Sequence, residues 1–381
     1  MRTIPFGKPI VGEEEKAAVM NVLSGPILVH GPRAVEFEKA FADFTAAPHA
    51  VSASSCTAAL HLSYFYLGLG KGDEVLVPAQ THTATAHAVE LCGAKPVFVD
   101  AESATGNIDT DQIEEKITPK TKALSVVHYL GMPANMARVN TLAKKHHLFV
   151  VEDCALAIGT RFQGVHAGLL GDVGCFSFYP VKHMTTAEGG MLITRNREMA
   201  QRISRQKAFG VDRHMGERTV PGVYDVTMLG FNYRMNEIQA ALGIEQLKRM
   251  NDFLRKREEN YQALSSGLGH LEEISLFKSS HGEYQSSYYC QSVLLKGRLE
   301  KKRYEVVTYL KEHGVGTSVY YPKPVPHMSY YREKYGYTEG SFPVAGKISA
   351  TSIALPVGPH LGVEDMHYVV ECLKNAIVEV K

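Results

Sequence analysis

The chain has 381 residues, 45% of them hydrophobic and 21% charged, a globular composition with enough length for two domains. Its formal net charge of +1 excludes the global basic footprint of a nucleic-acid or anionic-membrane binder. No run approaches the roughly 18 apolar residues a membrane span needs, and the N-terminal Met1-Arg2-Thr3-Ile4-Pro5-Phe6-Gly7 lacks the apolar core of a signal peptide, so a soluble, cytoplasmic protein is expected.

Helical spacing covers residues 13–23 and 33–45, and Thr57–Leu69 reads as an apolar helix ending near Gly70 and Gly72. Short apolar runs follow at Glu74–Pro78, Pro96–Asp100, Leu124–His128 and Leu148–Glu152, separated by helical stretches such as Thr83–Leu91 and Ala137–Lys145. Apolar strands alternating with helices predict an α/β fold, a mostly parallel sheet covered on both faces. Asn236–Leu264 predicts one long amphipathic helix bridging two domains, with Asn236 and Gln239 as reciprocal N-terminal capping partners. Beyond it, strands at Ser287–Leu295, Gly316–Tyr321 and Thr351–Leu355 and helices at Leu299–His313 and Val363–Val378 predict a smaller α+β domain. The expected division is a large domain at 1–248 and a small C-terminal domain at 249–381.

Ligands of parallel α/β sheets bind at the carboxyl ends of strands, so reactive residues there carry the functional reading. Val150-Val151-Glu152-Asp153 ends an apolar strand in two acids. They are either a cap in a solvated turn or a site in which Asp153 faces a cationic ring nitrogen and keeps it protonated. In Cys175–Thr194 a strand runs into a turn holding Lys182, and Glu188-Gly189-Gly190 opens another strand. A lysine between apolar strands is expensive to bury without a role; an exposed turn lysine is the plain alternative. The glycines allow positive φ or a close backbone approach. Ala53-Ser54-Ser55-Cys56-Thr57-Ala58 sets small hydroxyl residues before a helix, which fits either N-capping by Ser55 or Thr57 or an anion site on the helix end. His82, at the end of another strand, lies on a ring, acts as an acid–base group, or is a satisfied structural histidine.

Other patterns carry less. Gly68-Leu69-Gly70-Lys71-Gly72 follows a helix and precedes a strand, the reverse of a dinucleotide-binding loop. The seventeen histidines show no pair with convincing ligand spacing and a third partner, so no metal is expected. The six cysteines, Cys56, Cys92, Cys154, Cys175, Cys290 and Cys372, form no Cys-x-x-Cys pair and read as reduced, buried thiols.

In this order and spacing the segments resemble the DegT/DnrJ/EryC1/StrS sugar aminotransferases, of the aspartate-aminotransferase fold type. The likeness runs from Ile4-Pro5-Phe6-Gly7-Lys8-Pro9, through Gly31-Pro32, Gly72-Asp73-Glu74-Val75, Gly93-Ala94-Lys95-Pro96-Val97-Phe98-Val99-Asp100, Glu152-Asp153 and the Lys…Glu-Gly-Gly stretch. It continues in Gly230-Phe231-Asn232-Tyr233-Arg234-Met235 with Gln239-Ala240-Ala241 and closes at Leu355-Pro356. The resemblance implies pyridoxal 5'-phosphate as cofactor, with pyridoxamine 5'-phosphate as intermediate, and Lys182, six residues before Glu188, as the Schiff-base lysine. A related branch with histidine at that position removes a hydroxyl instead; the lysine here implies transamination.

The resemblance further implies that Asp153 pairs with the pyridine nitrogen. Thr57, the Ala58 backbone and Ser177 would hold the phosphate, His82 would stack on the ring, and Asn232 would reach the phosphate of the other subunit in a homodimer. Leu156 departs from the pattern, since relatives place a His or Gln there to reach the ring oxygen. The implied reaction moves an amine from L-glutamate to a keto or aldehydo sugar, nucleotide-linked, in surface-polysaccharide or amino-sugar biosynthesis. Lys8, His183, Arg213, His214, Tyr321, Lys323 and His327 are candidate acceptor contacts. The alternatives are a sugar dehydratase on the same scaffold, an aminotransferase for a free sugar acid such as an oxidised octulosonate, and a non-enzymatic regulatory protein. Neither nucleic acid nor membrane is an expected partner.

Overall fold

The computed structural model describes residues 2–212, 220 and 222–380; Arg213 and His214 lie outside the described residues. The first half of the chain alternates strands and helices: α1 (Glu13–Leu23), α2 (Pro32–Thr45), β1 (His49–Ala53), α3 (Cys56–Tyr66), β2 (Glu74–Pro78), α4 (Thr83–Leu91), β3 (Lys95–Val99), β4 (Thr121–Val127), α5 (Met136–His146) and β5 (Phe149–Asp153). Short strands β6 (Arg161–Phe162) and β7 (Val165–His166) precede β8 (Val173–Ser177), β9 (Gly190–Thr194) and α6 (Arg197–Gln206).

Among the described residues, seven of these strands form one sheet in the order β1-β9-β8-β5-β4-β2-β3. The pairs β2–β3, β2–β4, β4–β5 and β5–β8 are parallel, while β9 runs antiparallel to both β8 and β1. The sheet is therefore mostly parallel, as the apolar runs predict. The carboxyl ends of β1, β2, β4, β5 and β8 and the start of β9 share one edge, with β5 in the middle.

The expected helix over Asn236–Leu264 is two helices, α7 (Glu237–Lys248) and α8 (Met250–Leu268). Arg249 separates them at φ −94°, ψ −2°, and its guanidinium bonds the buried Glu15 of α1 at 2.9 Å. The reciprocal cap is present: Gln239 N–H donates to Asn236 Oδ1 at 2.9 Å and Asn236 N–H to Gln239 Oε1 at 3.1 Å. Gln239 Nε2 also donates to the Glu188 carbonyl at 2.7 Å, tying this helix start to the Glu-Gly-Gly segment.

The remaining elements are β10 (Ile274–Leu276), β11 (Tyr284–Gln285), β12 (Gln291–Leu295), α9 (Arg303–Glu312), α10 (Ser329–Tyr335), α11 (Pro343–Thr351), β13 (Ser352–Leu355) and α12 (Val363–Glu379). A sheet of order β10-β12-β13 shares its core with α8, α9 and α12, through Leu264, Val293, Leu310, Ile353 and Leu373. The strand expected over Ser287–Leu295 starts only at Gln291, because Tyr288 leaves the extended region at φ 51°. The helix expected over Leu299–His313 starts at Arg303, after a single 3-10 turn at Gly297–Leu299. The strand expected over Gly316–Tyr321 reduces to a lone bridge between Ser318 and Ala354.

Packing crosses the expected division at residue 248 in both directions. Ile4 belongs to the small-domain core, held by Ile4 N–H to Gly314 O and Gly316 N–H to Ile4 O, both 2.8 Å. Val325, Tyr331, Ala345 and Ile348 pack into the large-domain core. Asp100 anchors that segment by accepting the Val344 and Ala345 amides at 3.0 and 2.8 Å, so a large-domain carboxylate caps the start of α11. Among the described residues no helix is long and apolar enough to cross a membrane.

Candidate active site

The two acids that end β5 point to opposite sides, as successive strand residues must. Glu152, fully buried, accepts the Gly168, Leu170 and Gly171 amides at 2.8, 2.8 and 2.6 Å and lies 2.7 Å from His128 Nε2. His128, Glu152 and Cys154 bring ligand atoms within 4.8 Å of one another, but these amides already occupy both Glu152 oxygens and make the cluster a structural one.

Asp153, 5% exposed, faces the other way. Its Oδ2 accepts the Thr85 hydroxyl at 2.7 Å and its Oδ1 the Ala155 amide at 3.0 Å. Thr85 is in turn 2.7 Å from Thr81, both on the turn and helix that follow β2. Cys56 Sγ lies 4.0 Å from Asp153 Oδ1; burial, reinforced by the Asp153 charge, pushes that thiol well above its ordinary range.

Lys182 sits in the turn after β8, partly buried, with Nζ 5.6 Å from the centroid of the Tyr289 ring. Burial pushes its amine below the ordinary range of lysine, while the charge of Asp153 acts in the opposite direction. The same carboxylate acts on Tyr321, whose phenol burial pushes well above its usual range, and on His82. Lys182, Asp153, His82 and Tyr321 thus share one electrostatic neighbourhood, with the His82 and Tyr321 rings edge to face at 5.8 Å. His82 is exposed and caps α4, its Nδ1 accepting the Ala84 amide at 3.1 Å.

The start of α3 borders this group. Ser55, not Thr57, is the cap: its backbone is extended and its Oγ accepts the Ala58 amide at 3.0 Å. The Ala58 N–H, expected to be free for an anion, is therefore engaged. The Cys56 and Thr57 amides, at the first two helical positions, are those without intrahelical partners. Ser177, at the end of β8, pairs with Gly190 of β9. A Cβ on Gly190 would lie 2.4 Å from the Ser55 carbonyl and 2.6 Å from Cys56 N, so the glycine is needed for a close backbone approach.

The other candidates divide. Leu156 is buried in a cluster with Tyr129, Tyr289 and Tyr321. Asn232 is exposed, in the segment just before α7. Lys323 and Lys8 are exposed. His183, expected to contact the acceptor, is 2% exposed and has its Nε2 3.1 Å from the Ser287 carbonyl, facing inward because the turn places it opposite Lys182's cation–π partner, Tyr289. His327, expected in the same role, is 8% exposed with Nε2 2.6 Å from the Ser341 carbonyl, which makes it a brace between α10 and α11 rather than part of this group. Thr85, Cys56 and Arg257 are neighbours of the site that the sequence reading did not single out.

The residues suit a phosphorylated heterocyclic aldehyde: an amine with a depressed proton affinity, a carboxylate fixed by two donors at the sheet edge, and a helix start held close to β9. A mostly parallel seven-stranded sheet with a lysine and an aspartate near its carboxyl edge is the arrangement of the fold type I aminotransferases. The chain belongs to the DegT/DnrJ/EryC1/StrS aminotransferase family, which matches it over residues 9–374. It is 36% identical over 381 residues to the spore coat polysaccharide biosynthesis protein SpsC of Bacillus subtilis strain 168, covering 98% of this chain and 97% of that one. It is 34% identical over 377 residues to the GDP-perosamine synthase of Escherichia coli O157:H7, covering 98% and 99%. Its fold matches the Streptococcus pneumoniae protein Spr1654 in the PMP-form with a TM-score of 0.94 at 29% identity, covering 100% of both chains.

Proposed function

We propose that this protein is a pyridoxal-phosphate-dependent sugar aminotransferase that moves an amino group from L-glutamate to a nucleotide-linked keto sugar. The observation that carries the reading is the Lys182 amine, which no carboxylate pairs among the described residues, in the electrostatic neighbourhood of Asp153 at the carboxyl edge of the sheet. The names of the perosamine synthase and of the spore-coat polysaccharide protein support a sugar acceptor, and the PMP-form of the pneumococcal structure supports the cofactor.

Pyridoxal phosphate, when bound, supplies an aldehyde that condenses with amines and a pyridinium that takes up the electrons left by a departing proton. Lys182 would hold that aldehyde and, once a donor amine replaces it, would take the proton from the donor Cα as general base. A lysine with a lowered proton affinity suits this task. Asp153 would keep the ring nitrogen protonated. The Cys56 and Thr57 amides, the Thr57 and Ser177 hydroxyls and the α3 dipole would hold the phosphate, while the Ala58 amide stays with the Ser55 cap. His82 would lie against the ring, Tyr321 and Lys323 would meet the acceptor, and Asn232 would complete the site of the partner in a cytoplasmic homodimer.

The test combines one variant and one product assay. Lys182→Ala is expected to lose the visible absorbance of the bound cofactor and all turnover; an unchanged absorbance band in that variant refutes the assignment. With labelled L-glutamate and a panel of keto sugars, nucleotide-linked and free, transamination yields 2-oxoglutarate. With the label on the glutamate nitrogen, transamination carries it into the sugar, whereas a sugar dehydratase on this scaffold would leave the sugar product without it.

A further inference from the structure

Arg257, on α8, is 5% exposed. One of its nitrogens, Nη1, donates to the Tyr289 carbonyl at 2.8 Å, but Nε is buried without a partner. Among the described residues no carboxylate forms an ion pair with it. A buried guanidinium with neither counter-charge nor full hydrogen bonding is costly, and such a group asks for an anion.

Arg257 lines a cleft at the junction of the two domains. The cleft is bounded by the N-terminal strap at Phe6 and Lys8, by the turn at Pro180 and Lys182, and by His360. Lys8, Lys182 and Arg257 also line an adjoining hollow, which His183 borders; His183 Nδ1 is a second buried nitrogen without a partner. No acid lines either space. Lys8, Lys182 and Arg257 thus border one region whose lining holds no carboxylate, and the burial of Arg257 strengthens its attraction for a negative charge.

We propose that Arg257 and Lys8 form an anion subsite beside Lys182 that takes a carboxylate of the amino donor. The inference rests on the aminotransferase reading and assigns its donor-binding residues. Two observations favour a donor carboxylate over a phosphate of the acceptor. Lys182 Nζ and Arg257 Cζ lie 5.6 and 5.8 Å from the centroid of one Tyr289 ring, so the guanidinium and the reacting amine share one aromatic neighbour. In glutamate the carboxylates are one and three carbons from the reacting Cα, whereas the phosphates of a nucleotide-linked sugar stand beyond the sugar ring.

The experiment uses the holoenzyme and follows the donor half-reaction, the loss of the visible cofactor band on adding L-glutamate. Loss of a charge-assisted contact in Arg257→Gln is expected to weaken the apparent affinity for L-glutamate about tenfold or more. Lys8→Met, on the exposed strap where folding is not at risk, is expected to weaken it about threefold, and Arg257→Lys to recover part of the loss. Glutarate, a dicarboxylate without an amine, is titrated calorimetrically into the wild type and into Arg257→Gln, and only the wild type is expected to bind it. The acceptor half-reaction is measured alongside, with the KM for the keto sugar expected to stay within about twofold. Unchanged glutamate affinity in Arg257→Gln and Lys8→Met, with glutarate binding unchanged in Arg257→Gln, overturns the proposal, as does a rise confined to the acceptor KM, which would place a phosphate there. A wild type without a visible band overturns the parent reading; Arg257-dependent glutarate binding would still uphold the subsite.

Discussion

Gly190→Ala isolates the steric relation between β9 and the start of α3. The new methyl carbon would lie 2.4 Å from the Ser55 carbonyl carbon and oxygen and 2.6 Å from Cys56 N. Comfortable carbon contacts begin near 3.5 Å, so the two backbones must separate by about 1 Å. Both partners are main chain, and no side-chain rotation relieves the overlap. Overpacking of this kind costs about 1–3 kcal/mol of stability. The larger effect falls on function, because the displaced atoms carry the Cys56 and Thr57 amides. A misplacement of about 1 Å typically lowers a rate by 100-fold. Steady-state turnover at saturating cofactor measures that loss, and titrating the apoprotein with pyridoxal phosphate while following the visible band measures the accompanying loss of affinity, with melting temperature recorded in parallel. Gly70→Ala is the control, since a Cβ there meets nothing within 4 Å. If Gly190→Ala binds cofactor as tightly and melts as high as Gly70→Ala, the proposed cradle at the start of α3 is wrong.

Three further outcomes follow from the same geometry. Thr85→Val removes the hydroxyl that donates to Asp153 at 2.7 Å and is expected to lower kcat about tenfold, the value of one hydrogen bond to a charged group, with the KM for glutamate little changed; steady-state kinetics decide. Lys182→Met is expected to stabilise the apoprotein at neutral pH. The folded amine is pushed below its ordinary range, so the unfolded chain binds more protons between the folded value and about 10.4. Wild-type stability therefore rises with pH through that window, and the variant's advantage in melting temperature, about 2 °C or more, should shrink to nothing at its upper end. Asn236→Ala removes the reciprocal cap of α7 and should cost about 1 kcal/mol by denaturant titration.

The placement of Asp153 and Lys182 at the carboxyl edge of the sheet was legible because one ends an apolar strand and the other lies in the turn after one; the register from Lys182 to Glu188 came from the family resemblance. The sheet was legible where strands are continuous and apolar, as in β2 and β5. It was not legible at β1, whose His49-Ala50-Val51-Ser52-Ala53 holds one β-branched residue and owes its extension to pairing with β9. Sequence left Ser55 and Thr57 as equal candidates for the cap; the extended backbone of Ser55 decides between them. Thr85 and Cys56 touch Asp153 across 68 and 97 residues, a proximity created by strand order alone. Arg257, within Lys256-Arg257-Glu258-Glu259, looks like one more solvated helix charge, and only the packing of α8 against Tyr289 reveals it as buried. His183 and His327 read as polar groups free for a substrate, yet backbone carbonyls already engage both.

The opposed carboxylates at the end of β5 mean that the reactive face depends on residues no substrate meets. The three amides that hold Glu152 lace the segment 168–171 to the rear of the strand, and the strand cannot shift without tearing that lacing. Drift in this rear segment would therefore be felt as a loss of catalytic aim. A library selected for activity should find Gly168 and Gly171 nearly as intolerant of change as the acid they steady from behind.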